Sequence, residues 1–329
     1  MKLRSGFKLS FFICIAAVGC TNKTESTQAT ARDTFTETMA GNYVSSDYPK
    51  RKEGYDWVAV SVKLLTDSAA HIRIRSRADR KRPTCTFDAD AVQSGDHLLK
   101  AAVEGKIILF SFAADSLTIQ TGNEEDSGIL NYFCSGGGSL AGSYQKIKDP
   151  LDKKQIDSTV FLKVLSMQNI FFDIRTTGEG SLQQLIIQPA GLEKDNTKIT
   201  LETDGSVTNA EIEDLNSDGF PEILIYTVSA GSGSYGNVIA YSVNNGKSMS
   251  PIYFPGIADN PKANKGYLGH DEFAIVETHL VQRFRVYNPG DPNCCPTGKI
   301  RQVHYKLVDG ENSRKFVVDN ITEYSGSAQ

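Results

Sequence analysis

Two short runs in this chain carry residue types at spacings that could hold a ligand. The first is Asp214-Leu215-Asn216-Ser217-Asp218-Gly219-Phe220-Pro221-Glu222, with oxygen ligands at its first, third, fifth and ninth positions and glycine at its sixth. Calcium loops use this spacing so that carboxylates and amides converge on one ion. Position 12 is Ile225, where an EF-hand carries Glu, so the run is closer to the calcium loops of β-propeller repeats. Asp and Asn at these places also build a tight turn by bonding their own backbone. Two readings follow: calcium held by Asp214, Asn216, Asp218 and Glu222, or an Asx-rich turn leading into the apolar run Glu222–Val228.

The second run, Gly231-Ser232-Gly233-Ser234-Tyr235-Gly236-Asn237-Val238, fits GxGxxG. A dinucleotide site needs a helix after the glycines, to point its amides at a pyrophosphate. Here Val238–Ser242 continues as a strand. A kinase loop needs HRD-like and DFG-like partners, and the chain has neither. No nucleotide is expected. A glycine-rich hairpin turn and an exposed recognition loop remain as readings.

Catalytic sets are scarce. The five histidines are His71, His97, His270, His279 and His304. His270-Asp271-Glu272, with Glu277 and His279 nearby, lacks HExxH and structural-zinc spacing. It reads as polar residues on the wet face of a strand. Gly137-Gly138-Ser139-Leu140-Ala141 ends in Ala and precedes a strand, unlike a GxSxG elbow. Carboxylates are too common to single out an acid and a base. The sequence therefore proposes no catalytic residue and no enzyme.

The elements that must position these residues begin behind an export signal. Lys2, Arg4 and Lys8 precede an apolar core, Leu9–Val18, too short to span a bilayer. Ala17-Val18-Gly19-Cys20 resembles the lipobox of bacterial lipoproteins, with Ala17 where that pattern prefers Leu. The resemblance implies a cut before Cys20, lipid on Cys20 and attachment to a membrane. Thr21 is not the Asp of an inner-membrane retention signal, so an outer-membrane lipoprotein is expected. Loss of the signal's three positive charges takes the net charge from −4 to −7. Such acidity argues against nucleic acid and suits a basic protein partner.

Six cysteines divide simply. Cys14 leaves with the signal and Cys20 takes lipid. Export permits a Cys85–Cys134 disulfide. It would close a loop of about 50 residues, worth roughly 4 kcal/mol on the chain-entropy model. Cys294 and Cys295 are adjacent. Three states are open to them: reduced, joined in a strained small ring, or linking two chains as a homodimer.

The organisation expected is all-β. Residues 1–19 are signal, and 20–38 a Thr/Ser/Asn/Gln tether reaching roughly 20–25 Å. Residues 39–147 read as a small antiparallel barrel, loosely calycin-like. Ala40-Gly41-Asn42-Tyr43 opens it and Ala141-Gly142-Ser143-Tyr144 closes it, which suggests first and last strands side by side. Its strands are placed at Trp57–Lys63, His71–Arg75, Lys106–Phe112, Ser116–Gln120 and Ile129–Cys134. Residues 148–158 form a charged linker. Residues 159–329 carry many short strands with turn signals, the pattern of an antiparallel β-sandwich.

Read in order, the second half resembles the periplasmic inhibitors of invertebrate-type (I-type) lysozyme. The segments are Asp214–Glu222; Ser232-Gly233-Ser234-Tyr235; Gly266-Tyr267-Leu268-Gly269-His270-Asp271-Glu272-Phe273; Gln282–Tyr287; Gly290–Gly298; and Arg301–Tyr305. Lys299 stands where a second glycine is expected. The resemblance implies a β-sandwich whose SGxY loop enters the lysozyme cleft, with Ser232, Gly233 and Tyr235 forming the contact. Together with the lipobox at Ala17–Cys20, it implies a lipid-anchored inhibitor that does no chemistry, with lysozyme as partner and no cofactor. The rival expectation is a calcium-dependent glycan- or protein-binding lipoprotein that uses the Asp214–Glu222 loop.

Overall fold

The computed structural model describes residues 38–180 and 182–326. The expected lipidation at Cys20, the signal peptide 1–19 and the tether up to residue 37 lie outside the described residues.

The chain is all-β, as expected. The barrel strands are β1 (Gly41–Val44), β2 (Val58–Thr66), β3 (Ala69–Ser76), β4 (Thr86–Gly95), β5 (Leu98–Val103), β6 (Lys106–Ala113), β7 (Ser116–Thr121) and β8 (Gly142–Ile147). They close into an antiparallel barrel in chain order, β8 returning to β1 with Tyr43 opposite Lys146. The two Gly-x-Tyr ends thus do lie side by side. Each tyrosine donates to the carbonyl four residues back, Tyr43 to Met39 (2.8 Å) and Tyr144 to Leu140 (2.9 Å). Burial pushes both phenols up to about 12, so both stay protonated donors at neutral pH.

Alternate residues such as Val60, Ile72, Ile74, Phe87, Leu99 and Phe110 point inward and fill the barrel. Residues 129–134 are not the strand expected. Ile129–Tyr132 is one helical turn, α1, which drives Ile129 and Leu130 into the barrel core. A short apolar run serves a buried strand and a buried turn equally well. Two residues beyond the turn, Cys134 bonds Cys85, as expected.

The C-terminal part is three four-stranded antiparallel sheets. The first holds β9 (Thr159–Met167), β10 (Ile170–Glu179), β11 (Leu182–Ala190) and β12 (Ile199–Asp204). The second holds β13 (Ser206–Glu213), β14 (Glu222–Val228), β15 (Gly236–Asn244) and β16 (Ser248–Ile252). The third holds β17 (Glu272–Val276), β18 (His279–Arg285), β19 (Ile300–Val308) and β20 (Lys315–Tyr324). The sandwich is present, and it has a third layer. On one face of the second sheet, Leu224, Tyr226, Val238 and Ala240 pack on Leu280, Phe284, Val303 and Tyr305. On its other face, Ile223, Ile225, Tyr241 and Val243 pack on Phe172, Ile174, Leu185 and Ile187. Side chains alternate between faces along a strand. A middle strand must therefore be apolar at every position, which is why Ile223–Tyr226 shows no polar alternation.

Barrel and sandwich are stapled together. Leu151 and Ile156 of the 148–158 segment pack on Val44, Tyr48, Trp57 and Ala59. Buried Arg75 donates from Nε to the Thr159 carbonyl (2.8 Å) and from Nη2 to Asp88 Oδ2 (2.8 Å). The same Asp88 oxygen accepts the Leu162 amide (2.9 Å). Removing either member of such a buried pair strands the other's charge, at a cost of about 3–5 kcal/mol.

Candidate functional site

The Ser232–Tyr235 run is the tip of the β14–β15 hairpin, whose strands pair up to Val228 opposite Gly236. Within the loop, the Ser229 amide donates to the Tyr235 carbonyl (2.9 Å), the Tyr235 amide to Ser229 Oγ (3.0 Å) and the Ser234 amide to the Gly231 carbonyl (3.0 Å). Ser232 is exposed, and Tyr235 is 46% exposed. Neither the Ser232 hydroxyl nor the Tyr235 phenol has a hydrogen-bond partner among the described residues. Among the described residues the tip thus offers the Ser232 and Tyr235 hydroxyls unbonded, on a backbone that is itself tied.

A second segment, 266–271, braces the loop from outside it. The His270 amide donates to the carbonyls of Gly233 (2.8 Å) and Ser234 (3.2 Å). Gly269 has φ +87°, and a Cβ there would overlap the Gly233 carbonyl oxygen. A Cβ on Gly233 would sit 2.5 Å from the Tyr235 ring, so glycine lets that ring lie over the loop. Tyr267 meets the Tyr235 ring edge-on at 5.7 Å between centroids.

Asp271 is the hub of this brace. Its Oδ2 accepts the Gly236 amide (2.7 Å) and the Tyr267 hydroxyl (2.7 Å), and its Oδ1 accepts Gln282 Nε2 (2.7 Å). Tyr305 in turn donates to Gln282 Oε1 (2.7 Å). Desolvation raises the Asp271 carboxyl above the usual range, although all three donors pull it down. A wet strand face was expected for His270-Asp271-Glu272. His270 and Glu272 are indeed exposed, but Asp271 turns inward and holds the Ser232–Tyr235 loop. Its partners lie 4, 11 and 35 residues away in sequence, so no local spacing announces it.

A third segment reaches the loop through Asn293, whose Nδ2 donates to the Ser232 carbonyl (3.1 Å). Next to it, Cys294 is bonded to Cys295. Asn293 and Gln282 both fall within the segments that resemble the lysozyme inhibitors, but sequence gave neither a role.

The Asp214–Glu222 run forms a turn whose oxygens are engaged. Asp214 accepts the amides of Asp218 (3.0 Å) and Gly219 (2.9 Å), and Asn216 Oδ1 accepts the Asp218 amide (3.1 Å). Asp218 Oδ1 accepts the Phe220 amide (2.9 Å), and its Oδ2 meets Arg314 Nη2 at 2.6 Å. Glu222 is fully buried; it accepts Ser242 Oγ (2.6 Å) and the Leu215 amide (2.9 Å) and lies 3.3 Å from Arg314 Nη1. Burial holds its carboxyl above the usual range. Among the described residues, no three His, Cys, Asp or Glu side chains gather as a metal set.

No curated protein matches this chain. Among solved structures it resembles an endo-1,4-beta-xylanase from Bacteroides thetaiotaomicron VPI-5482 at 10% identity and a TM-score of 0.31, over 86% of this chain and 94% of that one. It also resembles an alpha-L-arabinofuranosidase from Lactobacillus brevis at 12% identity and a TM-score of 0.28, over 83% and 92%. Overlays this loose carry no argument about fold or function. Residues 190–261 run from the end of β11, through the Asp214–Glu222 turn and the Ser232–Tyr235 loop, to just past β16, and they match the family model described as periplasmic lysozyme inhibitor of I-type lysozyme.

Proposed function

We propose that this protein is a lipid-anchored periplasmic inhibitor of lysozyme that plugs the enzyme's cleft with Ser232-Gly233-Ser234-Tyr235. The family match over 190–261 supports lysozyme inhibition in general. The observation that carries the finer reading is the loop itself, exposed at Ser232 and Tyr235 and braced through its backbone by His270 and Asn293. A lysozyme cleft holds carboxyl groups around the scissile bond. A serine hydroxyl and a phenol each donate to a carboxylate, and charge assistance strengthens such bonds. A pre-ordered loop loses little conformational entropy on binding, so more of the contact energy appears as affinity. Tyr235 supplies rigid aromatic area, typical of an interface anchor. The acidic chain attracts a basic enzyme. Lipid on Cys20 would hold the loop beside the wall that it protects.

The test is inhibition of I-type lysozyme by the chain produced without residues 1–20. Ser232→Ala and Tyr235→Ala should each weaken it by roughly 1–4 kcal/mol. Absence of inhibition at micromolar protein, or undiminished potency in the double variant, would sink the proposal.

A further inference from the structure

The adjacent cysteines take no part in the mechanism above, yet they sit beside its key loop. Residues 288–298 form a compact exposed loop organised by Asp291. Its carboxylate accepts the amides of Asn288 (2.7 Å) and Thr297 (2.8 Å) and the Thr297 hydroxyl (2.8 Å). The ends of this loop are thus fixed. Its crown, Asn293-Cys294-Cys295, is held by the Tyr287 hydroxyl on the Asn293 carbonyl (2.7 Å) and by the Cys295 amide on the Pro292 carbonyl (3.0 Å). From that crown the Asn293 side chain crosses to the Ser232 carbonyl (3.1 Å). Both sulfur-bearing residues are exposed, so a solvent thiolate can reach them. By contrast, Cys85 of the other disulfide is 1% exposed.

We infer that Asn293 is a positioning residue for the recognition loop and that the Cys294–Cys295 bond sets its grip, which makes the loop sensitive to redox state. The inference rests on the reading of Ser232–Tyr235 as the lysozyme contact. The bond fixes the peptide between the two cysteines and, through it, the direction of the preceding Asn293. A dithiol reductant breaks the bond in two steps. One thiolate attacks a cysteine sulfur to form a mixed disulfide and releases the other cysteine as a thiol. The second reductant thiol then closes on the first, leaving Cys294 and Cys295 as thiols and the reductant as its cyclic disulfide. Two electrons and two protons pass to the protein. The freed crown gains backbone conformations, and the Asn293–Ser232 bond is made for a smaller fraction of the time. The Ser232–Tyr235 loop keeps its other braces, so the effect is a loosening and not a collapse.

The experiment is hydrogen exchange on the full-length chain, before and after mild dithiothreitol treatment. Differential alkylation and mass mapping must show Cys294 and Cys295 reduced and Cys85–Cys134 intact. Loss of one neutral hydrogen bond corresponds to roughly a 3- to 10-fold change. Exchange at the Ser234 and Tyr235 amides should quicken by about that factor on reduction. Asn293→Ala should show the same quickening while still oxidised, and a Cys294→Ser/Cys295→Ser variant should be quick with or without reductant. Lysozyme inhibition is read on the same samples and should weaken in parallel. Unchanged exchange at 231–235 on reduction, or in Asn293→Ala, overturns the inference even if inhibition is strong. A clear exchange response in a protein that inhibits no lysozyme supports the coupling and overturns the partner assignment instead.

Discussion

Replacing Gly269 with alanine should loosen the Ser232–Tyr235 loop, the proposed lysozyme contact, from a residue outside it. Gly269 sits at φ +87°, where a side chain costs about 1–2 kcal/mol. A Cβ would also overlap the Gly233 carbonyl oxygen, which accepts the His270 amide. Relieving that overlap means moving the 266–271 segment off the loop. This loses a hydrogen bond worth about 1 kcal/mol and adds overpacking strain of about 1–3 kcal/mol. The expected loss is about 4 kcal/mol, read by urea denaturation with unchanged m-value. Lysozyme inhibition should fall with it, although neither Ser232 nor Tyr235 has changed. Gly231→Ala is the control, because a Cβ there meets nothing within 4 Å. It should cost less than about 1 kcal/mol, near the ordinary effect of a surface change. If Gly269→Ala behaves like Gly231→Ala in both assays, the bracing argument is wrong.

Three further outcomes follow from the buried carboxylates. Asp271 has a raised folded-state pKa, so its protonated form is favoured on folding. Its contribution to stability is full below the unfolded carboxyl value of about 3.9 and is lost as pH rises through the raised one. Asp271→Asn removes that titration and keeps every other titratable group; its NH2 meets a donor, a cost that does not vary with pH. Wild-type stability measured against this variant should therefore decline as pH rises above about 4 and through the raised value; a gap that widens with pH would refute it. Arg314→Met leaves the buried Glu222 with only neutral donors, at a cost of about 3 kcal/mol, and millimolar calcium should leave the wild-type melting temperature unmoved. A calcium-dependent rise would show instead that the Asp214–Glu222 turn is a cation site.

Much of the fold is legible where local pattern and global packing agree. Gly41-Asn42-Tyr43 and Gly142-Ser143-Tyr144 announce the closure of the barrel, because each tyrosine's backbone bond repeats the same geometry at both ends. Strands with small or polar faces are harder to see. β4 carries Asp88 and Asp90 between its inward residues, β13 alternates only weakly, and β16 contains Pro251. Ile129–Tyr132 misleads because its apolar residues satisfy a strand pattern while folding as one turn. The third layer is hidden for a different reason. The unbroken apolar run of β14 reports burial on both faces, but not the identity of what covers it. At the candidate site the loop itself stands out through its glycines. Its supports do not, since Asp271, Gln282, Tyr305 and Asn293 belong to the third sheet and its loops and meet the hairpin only when that sheet packs on the second.

On the function proposed for the Ser232–Tyr235 loop, the root of its hairpin has a consequence for how such a protein can change partners. β14 is buried on both faces, yet none of residues 229–235 belongs to either core cluster. Substitution at the tip therefore leaves the folding energy of both cores nearly untouched, while the strand beneath tolerates little. Mutational risk and binding novelty are assigned to different residues of one hairpin. On the proposed reading, selection by a changing enzyme can then rewrite exposed positions 232 and 235 at little cost to the cores, whereas Ser234, at φ +43°, accepts fewer replacements.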